Sequence, residues 1–437
     1  MEAEALPQRP AHQRRRGRKR ELRAGGGEEP APAPGPAPAP GPASAAASPS
    51  APGAGGRGGA GAGAGAEVEV DGSMLEGGGQ ILRNTLALSG LLGVPVRLRN
   101  IRAGRAKPGL RPQHLAGVQL CRRITACGSG AAPAVGDTEL RLRPGPPQAG
   151  RYGVAVGTAG SCTLIAQAAL PLLLATTAGA EARLEGGTDN PLAPPADFLA
   201  HVLLPTLRRH MGLAAELRVV RRGFYPKGRG ELLLSVPPDD GGDGSGSGRA
   251  KARALDLSRP GPLTAVTVTA FCAGVVKRKY AEDMVAGAKA CLAEAAAAAG
   301  VEIRCAVAEE TAESAFGNGS GVLVKAETAG GGVLGGAAHG DRKKKAKATG
   351  REAAEVVLRA LKVGAAVDEF LADQLIVFMA LAGGISKLAC AKPTLHAETA
   401  MKVMETMSGG KVKFAVAAPA DPACQPWHIS CTGLGIL

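Results

Sequence analysis

The sequence predicts a mixed α/β (α+β) protein in which three repeated units, each a four-stranded sheet with two helices on one face, form a large domain. Three observations support this fold. The order helix, strand, helix, strand, strand occurs three times along the 437 residues. Hydrophobic residues make up 45% of the chain but aromatics only 3%, so the core must be aliphatic. A different order of elements between the second and third rounds predicts a smaller inserted α/β domain.

The first round begins where polar and apolar residues alternate at 67–70, which is typical of a half-buried strand. A glycine-rich turn at 77–79 separates this strand from a Leu-rich helix at 81–92. The remaining expected elements of the round are a strand at 96–101, a helix at 113–126 and strands at 138–143 and 152–156.

The second round follows the turn 157–160, with Ser161 as a helix N-cap. Its expected elements are a helix at 161–177, a strand at 182–185, a helix at 195–210 and strands at 217–221 and 231–236. The third round is expected to contain a helix at 367–382, a strand at 387–391, a helix starting near His396 and strands at 412–417 and 427–431. Gly409 and Gly410 end the His396 helix, since glycine tolerates the left-handed conformation of a C-cap.

These assignments divide the chain into a tail at 1–66, a first part of the large domain at 67–256, the inserted domain at 257–362 and the rest of the large domain at 363–437. The inserted domain is expected to hold strands at 264–270, 301–307 and 321–327 and helices at 281–299 and 351–361. Its basic loop at 341–347 is expected to be a solvated surface loop, with a direct RNA contact as the alternative.

The tail consists of Pro-Ala and Gly-Ala repeats, which bury too little apolar surface to offset the chain entropy lost on folding. A basic cluster at 14–20 is typical of a nuclear-import signal or of a nucleic-acid contact, and we expect a location in the nucleus (the nucleoplasm), with the cytoplasm as a second compartment. A transit peptide is the alternative interpretation, and the acidic residues Glu2, Glu4 and Glu21 argue against it.

The formal net charge of +14 predicts a polyanionic partner, of which nucleic acid is the first candidate. The nine cysteines are scattered without a C-x-x-C pair, which argues against a disulfide framework and a zinc site. No apolar run is long and charge-free enough to span a bilayer, so no membrane partner is expected. The composition does not define an oligomeric state.

Two polar loops carry residue types that bind phosphate. Glycines 77–79 precede a helix whose free N–H groups attract anions, and Glu76 and Arg83 beside them are a candidate metal ligand and a candidate phosphate ligand. The loop 101–114 has four cations without an interleaved acid, and arginine matches phosphate oxygens bidentately. These cations are Arg102, Arg105, Lys107 and Arg111. We therefore predict an anion site, with a solvated charged face as the alternative for the second loop.

Three other sites in the sequence favour nucleotide chemistry, but each has a simpler explanation when it is considered alone. His396 lies where a loop becomes a helix, and a neutral imidazole there is a plausible nucleophile toward phosphorus; a half-exposed histidine without chemistry explains the same pattern. Phe370, with Asp373 and Gln374 one turn on, could hold a purine base or simply pack in the core. Gln167 interrupts an apolar helix, either for a ligand or for a hydrogen bond between helices.

Seven segments, in order along 67–437, resemble the RNA 3'-terminal phosphate cyclase family. They read EGGGQILR, IRAGRAKPGLRPQHL, GTAGSCTL, GGTDNPLAPPADF, GFYPKGRGE, DEFLADQLIVFMALAGG and TLHAET. The resemblance implies three βαβαββ units plus a smaller inserted α/β domain. It implies ATP-dependent conversion of an RNA 3'-phosphate to a 2',3'-cyclic phosphodiester, through a covalent histidine–AMP and an RNA adenylate, with release of pyrophosphate and AMP.

The resemblance also implies roles for individual residues. The nucleophile would be His396, and Glu76 would bind Mg²⁺ or Mn²⁺ with Gln167 near the metal and the ATP phosphates. The RNA 3'-phosphate end would be bound by Arg83, Arg102, Arg105 and Gln113. Adenine would lie between Phe370 and Pro194, with Asp373 and Gln374 beside the nucleoside. The stacking aromatic is commonly tyrosine in this family, so Phe370 keeps the ring and lacks the hydroxyl; Arg229 occupies a position that is often glycine.

Two alternatives come from other functional classes. Cyclase-like proteins that act as non-catalytic RNA-binding assembly factors for ribosomes lack the nucleophilic histidine and the glycine-rich turn, and this chain has both. Enolpyruvyl transferases share a repeated βαβαββ plan, but the segments around His396 and Phe370 argue against that class.

Overall fold

The computed structural model describes residues 66–127, 131–239 and 251–437. The basic cluster at 14–20 and most of the Gly/Ser/Asp segment 239–248 lie outside the described residues. The expected mixed α/β fold is confirmed, with helices and mixed sheets in every part of the described chain. No helix among those residues combines the length and apolar character needed to cross a bilayer.

The first unit builds a small three-stranded sheet. Its elements are β1 (Val68–Asp71), α1 (Gly79–Leu92), β2 (Val96–Arg99), α2 (Pro112–Ile124) and β3 (Leu140–Leu142). β2 lies in the centre, parallel to β1 and antiparallel to β3. The alternation that predicts β1 places Val70 in the core, where it is completely buried.

The second unit builds four strands of a five-stranded sheet, and the fifth is a short strand of the insertion, Ala315–Phe316, at the sheet edge. Its own elements are β4 (Gly150–Ala155), α3 (Cys162–Leu174), β5 (Ala180–Gly186), a helical segment α4 (196–211, with π-helical turns at Leu199–Leu203 and Leu207–Met211), β6 (Glu216–Gly223) and β7 (Gly230–Val236). The assignment of a strand at 152–156 to the first unit is wrong. That segment is β4, and it pairs in parallel with β5, Val154 opposite Leu184. It therefore opens the second unit, which leaves the first sheet with three strands.

The third unit is interrupted by the insertion. After β8 (Asp256–Leu257) the chain runs through β9 (Leu263–Ala273), α5 (Arg278–Ala298), β10 (Ile303–Glu310), β11 (Ala315–Phe316), β12 (Gly319–Thr328), β13 (Val333–His339) and α6 (Ala346–Lys362). It then completes the unit with α7 (Glu369–Leu381), β14 (Gly383–Cys390), α8 (Leu395–Met407), β15 (Phe414–Ala417) and β16 (Trp427–Leu434). Parallel pairing of β8 with β14 shows that the insertion separates the first strand of the unit from its first helix.

The buried side chains form two main clusters. One cluster contains residues of all three units, because α1 packs against α3 and α8, and α2 also packs against α3. The other lies between α5, α6 and the sheet β10-β9-β12-β13. Helix α3 is apolar on almost every side and sits at the centre of the first cluster, as expected for a fully buried helix. The boundaries 257 and 362 of the inserted domain remain a prediction.

Candidate active site

His396 is the second residue of α8, at the end of the helix where backbone N–H groups are unpaired. Thr394 caps this helix by accepting a hydrogen bond from the Ala397 N–H at 3.1 Å. The imidazole is 51% exposed, so a ligand can reach it. Its Nδ1 lies 2.7 Å from Oε1 of Gln80. With this amide oxygen as acceptor, Nδ1 carries the hydrogen and Nε2 keeps its lone pair.

The glycine-rich turn lies directly beside His396 because α1 packs against α8. Gly77 adopts φ +57°, a left-handed conformation that favours glycine. A Cβ on Gly79 would lie 2.7 Å from Nε2 of His114 and 3.3 Å from Nη1 of Arg83. Because Gly79 has no side chain, the Arg83 guanidinium and the His114 imidazole can both lie close to the start of α1.

Glu76 links this turn to the arginine-rich loop. Its carboxylate forms an ion pair with Arg105, and Oε2 lies 3.5 Å from Nδ1 of His396. The Glu76 side chain is only 10% exposed, and Oε2 is buried without a hydrogen-bond partner among the described residues. A buried carboxylate oxygen that lacks a donor is suited to binding a cation.

Arg102 stabilises the arginine-rich loop by hydrogen bonds to carbonyl groups of the same loop. Its Nη1 donates hydrogen bonds to the carbonyls of Lys107 at 2.8 Å and Gly109 at 3.0 Å. Burial lowers the pKa of this guanidinium from its usual value, and Arg105 and Arg111 lower it further. Three arginines of one loop thus repel one another in the absence of an anion, which is the electrostatic condition for binding phosphate.

Gln113, His114 and Arg83 come together beneath the turn and line one small cavity. Oε1 of Gln113 accepts a hydrogen bond from the Ser161 N–H at 2.9 Å, which joins α2 to the start of α3. Burial lowers the pKa of Arg83 to about 10, and Glu76 partly opposes the shift. Arg83 makes no hydrogen bond or ion pair with any described residue, so its guanidinium is available to an anion.

His114 is held neutral in this cavity. Burial lowers its pKa to about 3, and the positive charges of Arg102, Arg83 and Arg111 contribute. Its Nδ1 accepts the backbone N–H of Arg111 at 3.1 Å, so the hydrogen is on Nε2, which faces Gly79. His114 therefore presents a neutral N–H donor toward the end of α1.

A chain of hydrogen bonds connects Pro194 with Phe370 across α3. Thr163 donates to the Pro194 carbonyl at 2.7 Å, and one turn later Gln167 Nε2 donates to Gln374 Oε1 at 2.8 Å. Gln374 in turn donates to the Phe370 carbonyl at 2.9 Å. Gln167 thus forms the hydrogen bond between helices that was the simpler sequence interpretation, and no described residue donates a hydrogen bond to its Oε1.

Phe370 does not pack in the core, since 45% of it is exposed. Asp368 caps its helix by accepting hydrogen bonds from the N–H groups of Phe370 and Leu371. Asp373, one turn on, accepts a hydrogen bond from the Thr394 hydroxyl at 2.6 Å and so ties α7 to the His396 end of α8. One pocket is lined by Gln80, Arg83, Gln167, Asp373 and Gln374 among others, which places the phosphate-binding and nucleoside-binding candidates around the same space.

Comparison with known proteins shows which family this sequence is similar to. A sequence model described as "RNA 3'-terminal phosphate cyclase" matches residues 74–414. Proteins named RNA 3'-terminal phosphate cyclase from Pyrobaculum neutrophilum and Drosophila melanogaster are both 38% identical to the chain, over 80% and 84% of its length and over 95% and 96% of theirs. One from Thermococcus onnurineus is 40% identical over 78% of this chain and 93% of its own length.

The chain belongs to the RNA 3'-terminal phosphate cyclase family.

The family resemblance expected from the sequence is thereby confirmed, together with the assignment of the chain as an enzyme of this family. The matched range contains every candidate site residue, from Glu76 to His396, and the inserted domain as well. The roles of the individual residues remain predictions, which the geometry above makes specific.

Sequence reasoning about this cyclase family member missed two groups of the site. Gln80 was seen only as part of the glycine-rich segment, although an amide directly after three glycines at the start of a helix was a usable signal. His114 follows Gln113 directly, and its neutral state depends on burial and on the three arginines around it. Such burial is set by tertiary packing and cannot be read from residue spacing.

Proposed function

We propose that this protein converts an RNA 3'-terminal phosphate to a 2',3'-cyclic phosphodiester, using ATP and a covalent His396–AMP intermediate. The observation that carries the proposal is the position of His396. Its ring is exposed at the start of α8, its Nδ1 is occupied by Gln80, and Glu76 and Arg105 lie beside it. A nucleophile, its orienting group and charged groups for a polyphosphate are then within one site.

In the first step, Nε2 of His396 attacks the α-phosphorus of ATP, an Nε2–P bond forms and the P–O bond to pyrophosphate breaks. Gln80 supports this step by holding the hydrogen on Nδ1, so that the reacting nitrogen has a free electron pair. Arg83, unpaired among the described residues, and the Arg102–Arg105 loop would neutralise phosphate oxygens.

In the second step, an oxygen of the RNA 3'-phosphate attacks the phosphorus of His396–AMP, and the P–Nε2 bond breaks to give the RNA adenylate. In the third, the adjacent 2'-hydroxyl attacks the RNA phosphorus, loses its proton and expels AMP. Both displacements chiefly need positioned reactants and neutralised charge. Arg83, Arg102, Arg105 and Gln113 are the residues proposed to hold the RNA phosphate, since they surround the turn next to His396.

The Glu76 carboxylate fits a Mg²⁺ or Mn²⁺ ion, because its buried Oε2 has no hydrogen-bond donor among the described residues. The described part of the chain contains no group of three His, Cys, Asp or Glu side chains that could hold a metal. Substrate phosphates and water would therefore complete the coordination of an ion at Glu76. When bound, such an ion neutralises charge on the phosphates. Glu76 would then exchange its ion pair with Arg105 for the metal, which would free Arg105 for a phosphate.

The ATP base is proposed to lie between Phe370 and Pro194, with Asp373 and Gln374 beside the nucleoside. The support for this is the exposure of Phe370 and the bonds through Thr163, Gln167 and Gln374, which hold the two ring-bearing segments one turn apart along the same face of α3. An aromatic face is sufficient for stacking on adenine.

The test is transfer of label from α-³²P-ATP to the protein, measured after acid precipitation without RNA. We expect labelled wild-type protein, release of the label as AMP on addition of an RNA 3'-phosphate, and no labelling of His396→Ala. His428→Ala, which removes an exposed histidine on β16, is the matched control and should label normally. Equal labelling of the His396 variant would overturn the proposal, as would a wild-type enzyme that forms cyclic ends without ever carrying label.

A nuclear location is proposed from the basic cluster at 14–20. A fluorescent fusion of the full chain should accumulate in nuclei, and replacement of the six Arg and Lys residues of the cluster by alanine should abolish this. Unchanged nuclear accumulation of the variant would reject the cluster as the signal.

A further inference from the structure

The turn 224–229, which joins β6 to β7, exposes an aromatic ring among cations. All eleven aromatic residues lie in the described part of the chain, and only two of them are exposed there: Phe370 at 45% and Tyr225 at 77%. Lys227 and Arg229 are exposed on the same turn and form no ion pair with any described residue. A solvent-facing ring with nearby cations that form no ion pair is an arrangement that binds single-stranded nucleic acid.

The turn is held rigidly from below. Phe224 is buried and stacks on Phe271 with ring centroids 6.1 Å apart. Gly228 donates its N–H to the Phe224 carbonyl at 2.8 Å, and Arg221 Nε donates to the Arg229 carbonyl at 2.9 Å. The exposed ring is therefore presented on a fixed support, which reduces the entropy lost on binding.

Arg229 occupies an unusual conformation for its residue type. Its φ is +57°, in the left-handed region where a side chain costs about 1 kcal/mol relative to glycine. Its guanidinium carbon lies 5.1 Å from the centroid of the Phe316 ring, which holds the cation on this turn. A cation carried on a strained backbone position is a candidate for a functional contact.

The turn connects to the proposed catalytic centre through one short loop. A Cβ on Gly228 would lie 2.7 Å from the Thr158 carbonyl oxygen, so the turn packs on the loop 157–160. The other end of that loop reaches Gln113, which accepts the Ser161 N–H. Three Cα–Cα steps, on the order of 10 Å, separate Thr158 from Ser161. Open space adjoins Gly157, where an added Cβ would meet no atom within 4 Å.

We propose that the turn 224–229 binds the single-stranded RNA just upstream of the 3'-terminal nucleotide. Tyr225 stacks on a base, Lys227 and Arg229 contact backbone phosphates, and the strand passes the exposed residues Gly157 and Thr158 to reach Gln113. This inference rests on the proposed function. A protein partner is less favoured, since the exposed residues of the turn are one aromatic ring, one proline and two cations, which is little apolar surface for an interface core.

The test compares a dinucleotide with a 3'-phosphate to a 20-nucleotide single-stranded RNA with the same end. Tyr225→Ala should raise KM for the long RNA by about 5-fold or more, the loss expected for one stacked base, and leave the dinucleotide within about 2-fold. Tyr225→Phe should behave as wild type, since it keeps the ring. Lys227→Ala should weaken long-RNA binding and reduce its salt dependence. Lys289→Ala, an exposed lysine on α5, is the matched control and should change neither substrate.

A second measurement tests contact directly. RNA carrying 4-thiouridine two to five nucleotides from the 3' end should crosslink to a peptide that contains Tyr225. If Tyr225→Ala loses the same activity on both RNA lengths, the turn serves only to support the loop 157–160, and the inference is wrong. No loss on the long RNA would also overturn it. Failure of the proposed function is distinguishable, since wild type would then neither become labelled by ATP nor cyclise either RNA.

Discussion

The carboxyl of Asp373 links the nucleoside side of the proposed site to the catalytic helix. Burial raises its pKa to about 7, while the hydrogen bond from Thr394 acts in the opposite direction. The unfolded chain has this carboxyl ionised above about pH 4. Its contribution to stability is therefore complete below about pH 4 and is lost as the pH rises to about 7, because only the unfolded state gives up its proton in that interval.

Asp373→Asn should remove this pH dependence while keeping an oxygen that accepts from Thr394. We expect the variant to gain stability relative to wild type as the pH rises from about 4 to about 7, by up to about 4 kcal/mol. Urea unfolding of both proteins at several pH values measures the difference. Glu294→Gln, on the exposed face of α5, controls for the loss of one surface carboxylate. A difference between Asp373→Asn and wild type that does not change with pH would contradict the assignment.

The start of α1 is the element on which the proposed phosphate site is built. Gly79→Ala suits the helix, since alanine is preferred to glycine by about 1 kcal/mol in helical positions. The new methyl group would nonetheless lie 2.7 Å from His114 Nε2 and 3.3 Å from Arg83 Nη1, so both groups must move. We expect unfolding stability within about 1 kcal/mol of wild type and protein labelling by ATP slower by on the order of 100-fold.

Gly93→Ala is the control, because it should lower stability without changing the labelling rate. Gly93 ends the same helix with φ +64°, and an added Cβ would meet no atom within 4 Å. That substitution should cost about 1 kcal/mol through backbone strain and leave the labelling rate unchanged. If Gly79→Ala labels at the wild-type rate, the close approach of Arg83 and His114 to this helix end is not part of catalysis.

The sequence predicted most helices and strands because their periodicity is local, but it could not assign every strand to a sheet. The β4 segment has the expected strand pattern, yet its partner is β5, which follows it, and nothing in its own residues specifies that choice. Strand β13 was missed because Gly335 and Gly336 resemble a loop. These glycines in fact allow close packing, since a Cβ on Gly336 would lie 1.9 Å from the Ala353 carbonyl oxygen of α6.

The candidate site shows the same division. His396 and the arginine loop stood out because loop residues of those types break an apolar pattern. The hydrogen bond from His396 to Gln80 joins residues 316 positions apart, and the exposure of Phe370 depends on what covers α7. Both facts result from packing between units. Spacing along the chain could therefore identify these residues as candidates but could not predict their contacts or their exposure.

At the scale of the whole molecule, Arg222 joins the second unit to the inserted segment. It lies on β6 and forms ion pairs with Asp189, Asp197 and Glu310, the last of these on β10. Its guanidinium carbon is also 3.8 Å from the centroid of the Phe271 ring on β9. Asp189 and Asp197 belong to the segment that carries Pro194, so one buried cation fixes that segment and the insertion together.

Arg222→Met should leave three carboxylates without their cation, and we expect it to cost about 3–5 kcal/mol at pH 7. Burial already raises the pKa of Asp197, with Arg222 opposing the shift. Without the arginine that carboxyl should bind a proton more readily, so the loss of stability should be smaller at pH 5 than at pH 8.

Urea unfolding at both pH values measures this difference. Arg278→Met, which breaks an exposed pair with Glu282, is the control and should leave the unfolding midpoint almost unchanged. Equal destabilisation at both pH values would show that Arg222 acts by packing on Phe271, and a loss no larger than that of Arg278→Met would remove its role as the link between the two parts of the fold.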